Sequence, residues 1–93
     1  MDETEARGVL AAKVEEWRRL PVDLLESYAA RGRPLAGEYW GDRGGRYAVE
    51  LHVTATPGGG VKGIAVVDDY GARDRPLRAE FTVEADGSAP PEA

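Results

Sequence analysis

The sequence predicts an α+β fold in which two N-terminal helices pack on one face of a three- to four-stranded antiparallel meander. Three observations predict it. Apolar residues recur at helical spacing up to Arg33, they alternate with polar residues after Pro34, and every helical segment precedes every extended one. Because no helix separates consecutive strands, the strands must pair as hairpins rather than as parallel crossovers.

The first helix is expected to open at Asp2, with Glu5 three residues on as in a capping box and three acidic side chains at the positive end of the dipole. Leu10, Val14 and Trp17, with Ala6 one turn earlier, form its apolar stripe, while Lys13, Glu15, Glu16 and Arg18 are expected to face away. Arg18 and Arg19 suit the last turn, and Pro21 disfavours helical geometry at Leu20. Pro21 also suits the first position of a second helix, roughly 21–31, whose stripe is Leu24, Leu25 and Tyr28. Gly32 is its natural C-terminal cap, followed by Arg33-Pro34.

Beyond Pro34, Glu38, Tyr39 and Trp40 read as a short strand and Gly41-Asp42-Arg43-Gly44-Gly45 as its turn. The clearest strand follows, with Tyr47, Val49, Leu51, Val53 and Ala55 on one face and Arg46, Ala48, Glu50, His52 and Thr54 on the other. Pro57-Gly58-Gly59-Gly60 turns the chain. Lys62 to Asp68 is the third strand, with Ile64 and Val66 expected inward, and Leu77, Ala79, Phe81 and Val83 form the inner face of a fourth. Residues 1–86 are expected to form one domain and residues 87–93 a flexible tail.

At 93 residues and 42% hydrophobic composition the chain has material for one modest core. It contains no cysteine, so disulfides and thiolate chemistry are excluded. No apolar run reaches membrane-spanning length and the acidic start differs from a signal peptide, so no membrane association and a cytoplasmic location are expected. The net charge of −5 has the wrong sign for general affinity to nucleic-acid backbone or anionic lipid, and the lack of Asn and Gln removes the amide contacts that commonly read adenine. Lack of Asn, Gln and Cys, with Arg far outnumbering Lys, suits a protein that works hot and equally a GC-rich genome.

No constellation specifies a reaction, so no enzymatic activity, cofactor or metal is expected. His52 is the sole histidine, and neither Ser27, on a helix, nor Ser88, in the tail, is placed to be its nucleophile. Asp68, Asp69 and Asp74 flank a turn but lack calcium-loop spacing, and Asx-turn bonding accounts for them equally well. Pro57-Gly58-Gly59-Gly60-Val61-Lys62 lacks both the ending of a phosphate loop and a following helix.

The aromatic and basic side chains are the best remaining signal. Tyr39 and Trp40 are adjacent on a strand, so one must lie on the face away from the helices, where exposed aromatic rings favour interfaces. Together with Arg46, His52, Tyr70, Arg73, Arg75 and Arg78 they define a candidate interaction surface. The expected function is therefore a non-catalytic protein-interaction domain that binds another protein, neutralises it, or self-associates. The alternative is a small-ligand or single-stranded nucleic-acid binder using the aromatic and arginine residues of the same surface.

The stretch Val61-Lys62-Gly63-Ile64-Ala65-Val66-Val67-Asp68-Asp69-Tyr70-Gly71, followed by Pro76-Leu77, Phe81 and Ala85-Asp86-Gly87-Ser88, resembles a family of short uncharacterised bacterial proteins. The resemblance covers about the last third of the chain, and the tryptophan associated with the segment after the family's double-Asp turn is absent here. It implies a small standalone α+β protein and no particular activity.

Overall fold

The computed structural model describes residues 3–41, 43–69 and 76–85. Two helices, α1 (Glu3–Arg18) and α2 (Val22–Arg31), precede four strands, β1 (Leu35–Trp40), β2 (Arg46–Thr56), β3 (Gly60–Asp68) and β4 (Leu77–Val83). The strands form one antiparallel sheet in the order β1-β2-β3-β4, so each pairs with its sequence neighbour and β1 and β4 are the edges. The expected tail and the Asp2 cap lie outside the described residues.

The helix boundaries follow the local chemistry. The Leu20 N–H donates to the Trp17 carbonyl as α1 unwinds, and the Pro21 carbonyl then accepts from the N–H groups of Leu24 and Leu25 to start α2. Proline suits this position because a helix-opening residue needs no N–H partner of its own. Gly32 closes α2 in the left-handed region at φ 65°, with its N–H on the Ala29 carbonyl, a conformation in which a side chain would be strained.

Both helices pack on the same face of the sheet, α1 chiefly over β3 and β4 and α2 over β2 and β3. The core between the layers is built from Ala6, Val9, Leu10 and Trp17 of α1, Leu25 of α2, and the inward residues of the strands. In β2 these are Tyr47, Val49, Leu51 and Val53; in β3 Val61, Ala65 and Val67; in β4 Phe81 and Val83. Burial of such side chains contributes about 1.5–3 kcal/mol each relative to exposure, which makes the inner face the main source of stability.

Four details depart from the sequence reading. Ile64 and Val66 lie on the outer face of β3, and Gly63, Ala65 and Val67 point inward. The register explains this: Val53 pairs with Gly63, Leu51 with Ala65 and Val49 with Val67, so the parity of β2 fixes that of β3. The small residues are inward because the space is already taken. Phe81, the cross-strand partner of Gly63, lies over it so closely that a Cβ there would meet the ring.

Lys13 does not project into water but lies across the rings of Trp17 and Tyr39, 5.6 and 5.3 Å from their centroids, with its ammonium on Glu16 at 2.9 Å. The ammonium is thus held between two ring faces, which attract a cation, and the Glu16 carboxylate. Leu24 is 37% exposed although Leu25 beside it is fully buried, so the stripe of α2 is narrower than its sequence suggests. β1 starts at Leu35 rather than Glu38, because Leu35, Ala36 and Gly37 find ladder partners in Leu51, Glu50 and Val49 despite the low strand propensity of Ala and Gly.

Glu5 reaches across to the sheet. Its Oε1 accepts a hydrogen bond from the Tyr47 hydroxyl at 2.5 Å and its Oε2 accepts from the Arg43 N–H. The carboxylate lies close to Gly41 and Gly45, where an added Cβ would collide with it. The start of α1 is thereby fixed to the β1-β2 turn, and the two glycines are what let the carboxylate approach.

Candidate interaction surface

The outer face of the sheet is read in rows from the strand register. Trp40 pairs with Arg46; Glu38, Ala48 and Asp68 form the next row; Ala36, Glu50, Val66 and Arg78 the next; then His52, Ile64 and Glu80; then Thr54, Lys62 and Thr82. Side chains in one row stand beside each other because successive residues of a strand alternate faces.

A shallow apolar strip, with Ile64 and Val66 half-buried by their neighbours, runs through the middle of this face. Ion pairs border it. Arg46 holds Glu38 with its Nε at 3.0 Å from Oε1 and a second contact through Nη2, and Lys62 reaches Glu80 diagonally at 3.4 Å. These pairs are about half exposed and contribute about 0–1 kcal/mol each, so they orient side chains more than they stabilise the fold. His52 Nε2 and Glu50 Oε2 are 2.9 Å apart and both side chains are 44% exposed.

Trp40 stands apart from the rest. It is 63% exposed, at the end of an edge strand, and beside the Arg46-Glu38 pair. A tryptophan left this open keeps a large apolar area in water that a partner surface would remove.

Of the sequence-derived surface residues, Trp40, Arg46, His52 and Arg78 share the outer face. Tyr39 does not: it points to the helix side, opposite Tyr47, beneath the Lys13 ammonium. Adjacent strand residues must separate in this way, and the hydrophobic alternation of β2 assigns the tyrosine inward. Tyr70, Arg73 and Arg75 lie outside the described residues, as does Asp74 of the acidic turn. Ser27 bonds the Leu24 carbonyl at 2.6 Å on α2, and His52 has Glu50 as its polar neighbour on the sheet. Among the described residues, no three His, Cys, Asp or Glu side chains gather in a metal-binding arrangement. No helix among them is long and apolar enough to cross a membrane.

Sequence reasoning missed two grooves beside β1. One, of about 280 Å³, lies between Glu5, Gly8 and Ala12 of α1 and Tyr39, Gly41 and Arg43. The other, of about 370 Å³, is lined by Tyr28, Arg31, Arg33, Pro34 and Leu35, with the Arg31 guanidinium 5.6 Å from the Tyr28 ring centre. The signal for the second was present: Tyr28 and Arg31 are three apart at the end of a helix and share a face. In comparisons with protein families, curated proteins and solved structures, the chain matches none.

Proposed function

We propose that the protein is a non-catalytic, cytoplasmic interaction domain that docks another protein chain on the outer sheet face and the adjoining β1 edge. The observation that carries this reading is Trp40, 63% exposed on the face the helices leave open. Its setting supports the reading further, because an aromatic anchor beside an arginine and an apolar strip is the composition of an interface centre. Small acidic domains of this architecture often bind or neutralise another protein, an analogy at the level of the fold that agrees with this reading.

The test is affinity capture from the native cell with the wild-type protein and a Trp40→Ser variant. Trp40 is mostly exposed and its cross-strand partner is Arg46, so the variant is expected to keep its fold by circular dichroism and to lose the captured partner. The same proteins retained by both forms would overturn the reading. Binding of a small ligand or single-stranded nucleic acid is the competing reading. It keeps Trp40, Arg46 and Arg78 on one face but loses Tyr39 to the helix side. A low-salt oligonucleotide titration that quenches Trp40 fluorescence would favour it.

A further inference from the structure

We propose that the groove where α2 passes into β1 binds a small phosphate monoester with an aromatic or apolar body, held by Arg31 and Arg33. The groove lies at the opposite end of β1 from Trp40, so it goes beyond the outer-face reading and does not depend on it.

Charge marks the site. The chain carries 17 acidic and 12 basic side chains, so a cation readily finds a carboxylate. Along α1 and just after it, Arg7, Lys13, Arg18 and Arg19 each do so, at 2.9–3.6 Å. Arg31 and Arg33 differ. Among the described residues no carboxylate pairs with either, and the contact Arg31 makes is with the Tyr28 ring. The helix dipole accounts for Arg31, in the last turn of α2, but not for Arg33, which follows the cap. Gly32 brings the two together. Its left-handed conformation, φ 65°, turns the chain out of the helix, and the arginines on either side of it line one groove of about 370 Å³.

Tyr28, Pro34 and Leu35 complete the lining. Tyr28 and Leu35 are half-buried against the core, and Leu35 is paired with Leu51 in the sheet, so this apolar wall is fixed before any ligand arrives. Pro34 restricts its own φ and stiffens the turn that carries Arg33. A site built in advance loses less binding energy to ordering.

The donor set selects the ligand. A guanidinium presents a planar fork of N–H donors that matches the oxygens of a carboxylate or a phosphate. A carboxylate brings a single charge and satisfies one of the two arginines. A phosphate monoester, with a charge of about −1.5 to −2 at neutral pH and three acceptor oxygens, meets both. The carbonyl end of α2 opposes an anion with about half a charge, which two guanidiniums outweigh. The volume sits near the small end of ligand pockets, roughly 300–1,000 Å³, which is room for a ring beside the phosphate rather than for a polymer. Tyr28, Pro34 and Leu35 are the surface on which that ring lies.

NMR titration of the full chain at low salt tests the site with four probes: phenyl phosphate, adenosine monophosphate, inorganic phosphate and benzoate. At least one of the two esters is expected to bind with a Kd of about 1 mM or below, shifting the resonances of Tyr28, Arg31, Arg33 and Leu35. The tighter ester identifies the body as a simple aryl group or a nucleoside. Inorganic phosphate lacks the body and benzoate the second charge, and each is expected to bind at least about fivefold more weakly.

Arg31→Gln and Arg33→Gln change exposed side chains and are each expected to weaken ester binding at least about tenfold, with circular dichroism unchanged. Arg33→Lys keeps the charge without the fork, and its loss is expected to fall between wild type and Arg33→Gln. Arg19→Gln, at an exposed arginine already held by Glu15, is expected to leave binding unchanged. The site is overturned by the absence of shifts with either ester up to about 10 mM, by benzoate binding as tightly as phenyl phosphate, or by an equal loss in Arg19→Gln and Arg33→Gln. None of these results bears on the Trp40 capture experiment, so the two readings fail separately.

Discussion

Leu51 and His52 are neighbours on β2 and belong to different worlds. Leu51 is fully buried, opposite Ala65 and Leu35 and under the helices, while His52 stands half in water beside Glu50 and opposite Ile64. The same two strands thus carry the core on one side and the candidate surface on the other. Residues that set stability and residues free to serve binding are interleaved at every second position, so a substitution scan along β2 should alternate between large and small effects.

That alternation gives a graded set of tests. Leu51→Ala should cost about 2–5 kcal/mol in chemical denaturation, because a fully buried central side chain leaves a cavity that two packed layers cannot close. Gly63→Ala should come next, at about 1–3 kcal/mol, since its methyl group displaces the Phe81 ring rather than filling space. Tyr47→Phe keeps the buried ring and removes only the hydroxyl donated to Glu5, for an expected loss of about 1–2 kcal/mol. Lys13→Met, which keeps the stem over Trp17 and Tyr39 and removes the charge, should cost about 0.5–1 kcal/mol.

At the far end, His52→Ala should change stability by no more than about 0.5 kcal/mol, the usual range for a surface position outside the core. Should His52→Ala prove as costly as Leu51→Ala, the outer face would be covered in solution and the contrast between the faces would fail. A concentration-dependent cost at His52 would sharpen the contrast instead, because it would report burial by a second molecule.

The helices and β2 were legible because their patterns have one period and no competitor. Leu10, Val14 and Trp17 can share a face only in a helix, and the run from Tyr47 to Val53 can do so only in a strand. β3 was not legible by the same means. Ile64, Ala65, Val66 and Val67 are apolar at both parities, so choosing the larger residues as the inward ones inverted the strand. The loop held the missing information: Pro57, Gly58 and Gly59 separate Thr56 from Gly60, and a hairpin's loop length fixes which residues pair. Gly58 and Gly59, at φ 91° and 93°, supply the left-handed backbone that such a short connection needs.

The candidate surface was legible in part. Adjacent Tyr39 and Trp40 required that one ring lie outside, but which one depended on pairing with Tyr47, a contact eight residues away in sequence. The Lys13 position over Tyr39 and the Glu5 bond to Tyr47 link the first helix to strands more than twenty residues downstream, and no local pattern encodes such distances. The groove at Tyr28, Arg31 and Arg33 was hidden for a different reason. Arginines near a helix C-terminus are also favoured by the dipole, so their sequence position alone does not mark a site.

The order of elements along the chain also has a consequence for its synthesis. The strands form a ladder of consecutive hairpins that can zip locally as each emerges, a topology that favours rapid folding. The helices are translated first, yet Trp17 and Leu10 cover strands made last. At ribosomal speeds of about 5–20 residues per second, the apolar stripe of α1 waits roughly 3–10 seconds for Val67 to follow Trp17 out. During that interval the helix has its greasy side bare, and Lys13, one turn before Trp17 on the same helix, is a neighbour that can lie against the ring before any strand exists.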